Sequence, residues 1–185
     1  MTALSEIHIS PQNCVLNGTP LSTHETGKDL LKELYRNLQT DYPKFFKMDG
    51  LCRLGFIASE VLLAHREEER FIPREDRAVI LVTHQGCLTT DYHYEGTIKP
   101  GEGYFPSPAI FVYTLPNIVT GEIAIRNKYM GETSMYVTEA EDASRINELL
   151  EEVFMDTITT SALIGWVDYR SDNDYIAHIK LISKH

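Results

Sequence analysis

Cys87 lies just past an imidazole in the run His84-Gln85-Gly86-Cys87, and a thiol near a histidine is the raw material of nucleophilic acyl chemistry. Catalytic partners usually meet through the fold rather than along the chain, so this adjacency equally suits a small buried cysteine in a turn after a strand. The histidines His8, His24, His65, His84, His93, His178 and His185 form no HxH or HExxH pattern, which argues against a metal site. Asp91, His93 and Glu95 alternate; on an extended segment they would share one face and could meet a cation, although a solvated loop face explains them as well. Glu139, Glu141 and Asp142 form an acidic group for which metal binding competes with a plainer role, capping a helix start. Neither a metal nor a cofactor is expected.

The elements that must position these residues read as one α/β domain over 1–185. Ile7 to Ile9 and Cys14 to Leu16 are β-like pieces around Pro11, followed by a turn at Asn17-Gly18. Thr26-x-x-Asp29 resembles a capping box ahead of a helix carrying Leu30, Leu31, Leu34 and Leu38. Asp49 is placed to cap a second helix, on which Leu51, Leu54, Ile57, Ala58, Val61 and Leu62 share a face. Ala78 to Thr83 is a continuous apolar run, as in a strand covered on both faces.

Gly96 to Pro108 reads as loop, and Pro116 as the first residue of a helix with Ile118, Val119, Ile123 and Ala124. Ser134 to Val137 reads as a strand, and Ile146, Leu149, Leu150, Val153 and Phe154 mark an amphipathic helix. Ser161 to Val167 and Tyr175 to Ile182 are strands joined by a turn at Asp172-Asn173-Asp174, so they form a hairpin and make the sheet mixed. Tyr92, Tyr94, Tyr104, Phe105, Phe111 and Tyr113 crowd one region, suited either to an interface or to a loop packed on the sheet.

The formal net charge of −10 argues against nucleic acid or an anionic membrane as partner. No apolar run approaches the roughly 20 residues that span a bilayer. The start, MTALSEIHIS, lacks the basic and apolar regions of a signal peptide, and three cysteines without CxxC spacing suit a reducing cytoplasm.

Two stretches resemble the β-ketoacyl synthase family of the thiolase superfamily. Thr114-Leu115-Pro116-Asn117-Ile118-Val119-Thr120-Gly121-Glu122-Ile123-Ala124-Ile125-Arg126 is similar to the helix ahead of that family's nucleophile, with its pattern S-x-P-N-x-x-A-G-x-I-A-I. Gly131-Glu132-Thr133-Ser134 stands where the family commonly has Gly-Pro-Asn. Upstream, Lys47-Met48-Asp49 with Leu54-Gly55-Phe56-Ile57-Ala58 resembles the start of another family helix, and Arg77 to Leu88 the strand and turn after it. In the family the next strand ends in V-T-x-C, whose cysteine attacks the acyl thioester. Here Val137-Thr138-Glu139-Ala140 occupies those positions, so Ala140, flanked by Glu139 and Glu141, matches a nucleophile it cannot replace.

The resemblance implies a three-layer α/β/α half of a thiolase-like fold with a mixed central sheet. It implies that Ser134, Met135, Tyr136 and Val137 form a sheet-edge strand at a dimer interface, and that Phe111, Tyr113, Pro116 and Asn117 lie near an acyl pocket or interface. The expected role is a non-catalytic accessory or partner subunit in fatty-acid, polyketide or aryl-polyene-type acyl-chain synthesis. The expected partners are a second copy or a full-length ketosynthase, with an acyl carrier protein as a further candidate. Two alternatives stand beside it: an acyl-transferring enzyme with displaced chemistry, using Cys87 or Glu139, and a stand-alone binder of an acyl ligand.

Overall fold

The computed structural model describes residues 1–99 and 105–185. Tyr104 and part of the expected loop from Gly96 to Pro108 therefore lie outside the described residues. The chain opens with a hairpin of β1 (Thr2–Ser10) and β2 (Asn13–Leu16), and the short β3 (Thr19–Pro20) pairs back onto β2. The left-handed backbone at Asn17 and Gly18, φ 50° and 77°, makes the tight Asn-Gly turn between β2 and β3. Helix α1 (Gly27–Asn37) follows, then a 3-10 turn and helix α2 (Gly50–Ala64).

Strand β4 (Arg77–Thr83) leads to α3 (Leu88–Ile98), α4 (Pro108–Phe111) and α5 (Ile118–Asn127). The chain ends with β5 (Thr133–Val137), α6 (Ala143–Val153), β6 (Ser161–Ser171) and β7 (Asp174–Ser183). The seven strands form one sheet in the order β3-β2-β1-β7-β6-β4-β5. Strand β4 is parallel to β5 and β6, whereas β7 is antiparallel to both β6 and β1. The sheet is mixed, and the hairpin expected at the end of the chain is β6–β7.

Strand alternation sends the two side-chain sets to opposite layers. Val79, Leu81, Leu163, Val167, Ile179 and Leu181 pack with the leucines of α1 and the apolar residues of α2 and α5. Ala78, Ile80, Val82, Ala162, Ile164 and Trp166 pack under Leu149, Leu150, Val153 and Phe154 of α6 and its C-terminus. That is the three-layer α/β/α arrangement expected. Helix α2 is apolar nearly all round because it lies between the sheet and α1 and α5. Strand β5 sits at the sheet edge, with β4 as its one partner among the described residues, where the resemblance placed it.

Four local expectations are corrected. Thr26 makes no side-chain cap. Gly27 enters α1 at φ 57° instead, its amide donating to Pro11 O and its carbonyl accepting from the Tyr175 hydroxyl at 2.6 Å. Asp91, His93 and Glu95 lie on helix α3, not on an extended segment, so neighbours in that alternation are turned roughly 200° apart and do not share a face. The same helix runs through Gly96 to Ile98, which shortens the expected loop. Pro116 precedes α5 in a turn closed by Ile118 N–H to Leu115 O at 3.1 Å, so the helix starts two residues later than expected.

Candidate functional site

The carboxyl ends of the parallel strands β4, β5 and β6 meet the chain's chemistry-bearing loops, and one buried carboxylate organises them. Asp168 Oδ1, at the end of β6, accepts from Thr83 Oγ1 at 2.9 Å, His84 N–H at 3.0 Å and Gln85 N–H at 2.8 Å. Thr83 Oγ1 in turn accepts from Gly86 N–H at 3.2 Å, and Gly86 takes φ 55°. The His84-Gln85-Gly86-Cys87 turn is thus tied down from β6. Replacing Asp168 with alanine strands three donors in a largely buried site, an expected loss of about 3 kcal/mol, with Asp168→Asn losing about half because it keeps an acceptor oxygen. Urea denaturation midpoints measure both.

The segment after β5 is held to this turn. Thr138 N–H donates to Thr83 O at 2.9 Å, and the His84 ring Nδ1 lies 2.9 Å from Thr138 O. Thr138 Oγ1 donates to Ala140 O at 2.9 Å. Ala140 is exposed in the bend between β5 and α6 and presents only a methyl group. Of the two acids after it, Asp142 caps α6 by accepting from Ser144 N–H at 2.8 Å. Glu141 does not serve the helix; its Oε1 lies 3.2 Å from Nδ1 of His178 on β7.

The three cysteines are all buried, and burial pushes every thiol up, Cys14 to about 12 and Cys52 and Cys87 well above the ordinary thiol value. A thiolate nucleophile needs the opposite shift. Among the described residues no group of three or more His, Cys, Asp or Glu is placed to hold a metal ion.

A cleft of about 800 Å³ opens between the start of α2, the helices α3 and α4, and the β6–β7 turn. Asp49 shapes its floor: Oδ1 caps α2 by accepting from Cys52 N–H at 2.9 Å, and Oδ2 accepts from Thr90 Oγ1 at 2.7 Å. Burial pushes this carboxyl up, against the pull of those hydrogen bonds and of Arg53. Tyr169 fills the space above Gly50, where a side chain would collide with its ring, and donates to Asp172 Oδ1 at 2.6 Å. Asp172 also pairs with Lys28 at 2.8 Å.

The acids of the cleft are therefore committed, whereas of its three Lys and Arg side chains only Arg170 is paired with carboxylates among the described residues. Arg53 donates to backbone carbonyls, Met48 O at 2.8 Å among them, and neither Arg53 nor Lys47 pairs with a carboxylate among the described residues. Arg170 reaches Asp168 and Asp174 at 3.5 and 3.8 Å. Lys47 and Arg53, lining the cleft together with the apolar Met48, Ile110 and Tyr113, suit a ligand with an anionic group and an apolar chain.

Of the residues expected near an acyl pocket, Tyr113 alone lines this cleft; it is buried, and burial pushes its hydroxyl to about 12. Phe111 is half exposed and packs against Tyr94 with ring centroids 5.3 Å apart. Pro116 forms the turn before α5, and Asn117 precedes that helix and makes no side-chain cap. On β5, Tyr136 packs toward α6 and Met135 toward the opposite layer, Ser134 is half buried, and Val137 is 64% exposed. The cleft itself escaped sequence reasoning, because its walls come from segments far apart in the chain; Lys47-Met48-Asp49 and Tyr113 were its one legible trace.

No protein-family model matches the sequence, and no curated protein is detectably similar to it. Solved structures do match by shape. The ishigamide ketosynthase/chain length factor superposes with a TM-score of 0.67 at 15% identity, over 98% of this chain and 61% of that one. A ketosynthase in complex with its chain length factor from Xenorhabdus doucetiae gives 0.64 at 15% identity, over 100% of this chain and 80% of that one. A type II polyketide acyl carrier protein in complex with its ketosynthase gives 0.59 at 10% identity, over 98% and 62%. The shared property is a fold, and this chain spans a little over three fifths of the first of those chains.

Proposed function

From the fold of the ketosynthases and chain length factors, we propose that this chain is a non-catalytic ketosynthase-like subunit. It pairs with a full-length ketosynthase, or with a second copy of itself, and supports acyl-chain condensation in fatty-acid, polyketide or aryl-polyene-type synthesis. The observation that carries this reading is the bend after β5: it offers the methyl group of Ala140 where the resemblance calls for a thiol, and the thiols the chain does have are buried and protonated. Its free cysteines suit a cytoplasmic setting.

The cleft supports contact with an acyl carrier protein. The chain is acidic overall, as carrier proteins are, yet Lys47 and Arg53 gather uncommitted positive charge at one opening. Such a patch steers an acidic partner to one face against the net repulsion.

Intact-protein mass spectrometry after exposure to octanoyl-coenzyme A tests the absence of covalent chemistry. Unchanged mass is expected. A stoichiometric acyl adduct, mapped to Cys87 or Glu139, would establish displaced catalysis in place of the accessory role.

A further inference from the structure

The turn between β2 and β3 joins a side-chain amide to an unshielded backbone nitrogen, and the accessory role uses neither. Asn17 and Gly18 are its two central residues, at φ 50° and 77°. The turn is seated on β1, where Asn17 N–H donates to Glu6 O at 2.9 Å. Asn17 Oδ1 accepts twice, from Glu6 N–H at 2.8 Å and from the Ser5 hydroxyl at 2.9 Å. Two donors on one carbonyl oxygen draw electron density from Cγ and are placed to hold a negative charge that develops on that oxygen.

The nitrogens on either side of the reaction are free. Neither Asn17 Nδ2 nor Gly18 N–H makes a hydrogen bond among the described residues. Both residues are exposed, and a side chain added at Gly18 would meet nothing within 4 Å. Solvent therefore reaches the turn, and no neighbouring side chain screens the Gly18 nitrogen.

We propose that Asn17 is a site of self-modification by deamidation, in which the Gly18 nitrogen attacks Asn17 Cγ. The new C–N bond closes a five-membered succinimide. The Cγ–Nδ2 bond breaks, and Nδ2 leaves as ammonia with the proton that Gly18 N gives up. Water then adds to either ring carbonyl and opens the ring to aspartate or to isoaspartate. Ser5 and Glu6 are positioning residues that stabilise the oxyanion of the addition step. The reaction needs no partner and stands apart from the accessory role.

The two products differ in consequence. Aspartate keeps acceptor oxygens for the same donors and adds one negative charge to a chain already at −10. Isoaspartate adds a methylene to the backbone of a two-residue turn, which breaks the register of Leu16 with Thr19 and of Val15 with Pro20. Strand β2 then becomes an open sheet edge, a surface that pairs with other strands.

The test is incubation of the folded chain at mildly alkaline pH, with a parallel sample unfolded in urea. Peptide mapping by mass spectrometry reads the amide-to-acid mass change at Asn17, and electron-transfer fragmentation separates aspartate from isoaspartate. Conversion of Asn17 in the folded sample is expected; conversion confined to the urea sample would show that the turn protects the residue and would overturn the proposal. Ser5→Ala removes one donor and should slow conversion of the folded chain about tenfold, the worth of one hydrogen bond to a developing charge, with the rate in urea unchanged. Folded Ser5→Ala converting as fast as the wild type would also overturn it. Should Ser5→Ala fail to fold, the comparison of folded and unfolded wild type still decides.

Discussion

Gly165→Ala should cost at least about 3 kcal/mol and leave the chain largely insoluble, because the added methyl has nowhere to go. Gly165 lies in mid-β6, paired with Ile179 of β7. A Cβ there would sit 2.0 Å from His178 O and 2.8 Å from Ile179 Cα, both backbone atoms that no rotamer change can move. Relief requires the two strands to part, and β6–β7 is the longest ladder in the sheet and ties β4 to β1. A loss of that size is a large share of the about 5–15 kcal/mol that holds a domain folded. Gly121→Ala provides the contrast. It lies in α5 with nothing within 4 Å of the added atom, and should be neutral or stabilising by up to about 1 kcal/mol. Soluble yield and thermal melting of the two variants give the comparison; a Gly165→Ala variant that melts with the wild type would refute the close β6–β7 approach.

The second large effect is on association. The amide of Thr138 bonds to Thr83 O and the carbonyl of Glu132 accepts from Val79 N–H, both across to β4. Strand alternation then turns the amides of Ser134 and Tyr136 toward β4 and those of Thr133, Met135 and Val137 outward from the sheet. An open row of this kind pairs with another strand unless something blocks it. Val137 on this strand is exposed and adds apolar surface. The double variant Thr133→Pro/Val137→Pro removes two outward donors and leaves the β4 ladder intact. It should weaken association about 100-fold, close to tenfold for each lost bond, while melting within a few degrees of wild type. Sedimentation velocity over a concentration series reads the change. Association unaltered by both prolines would remove β5 from the interface.

Elements with strong local signals were legible. The leucine stripe of α1, the Asp49 cap and apolar run of α2, the amphipathic α6 and the continuous run of β4 all emerge from spacing alone. What escaped did so for physical reasons. Helix α3 buries only Thr90, so it carries no helical period, and its alternating Asp91, His93 and Glu95 imitate a strand. The Thr26 capping box has the right residue types, but contacts of Gly27 with Pro11 and Tyr175, distant in sequence, set the entry to α1. Asp168 gave no signal because its partners, Thr83 to Gln85, lie more than 80 positions earlier. The position of Ala140 was readable only through the family resemblance, as nothing about an alanine announces a lost nucleophile.

The accessory reading stands on pairing. Static light scattering on the chain at micromolar concentration, alone and co-expressed with a full-length ketosynthase, tests it most directly. A species of twice the chain's mass, or of the summed mass of chain and ketosynthase, is the expected result. A strictly monomeric chain in both samples would contradict it.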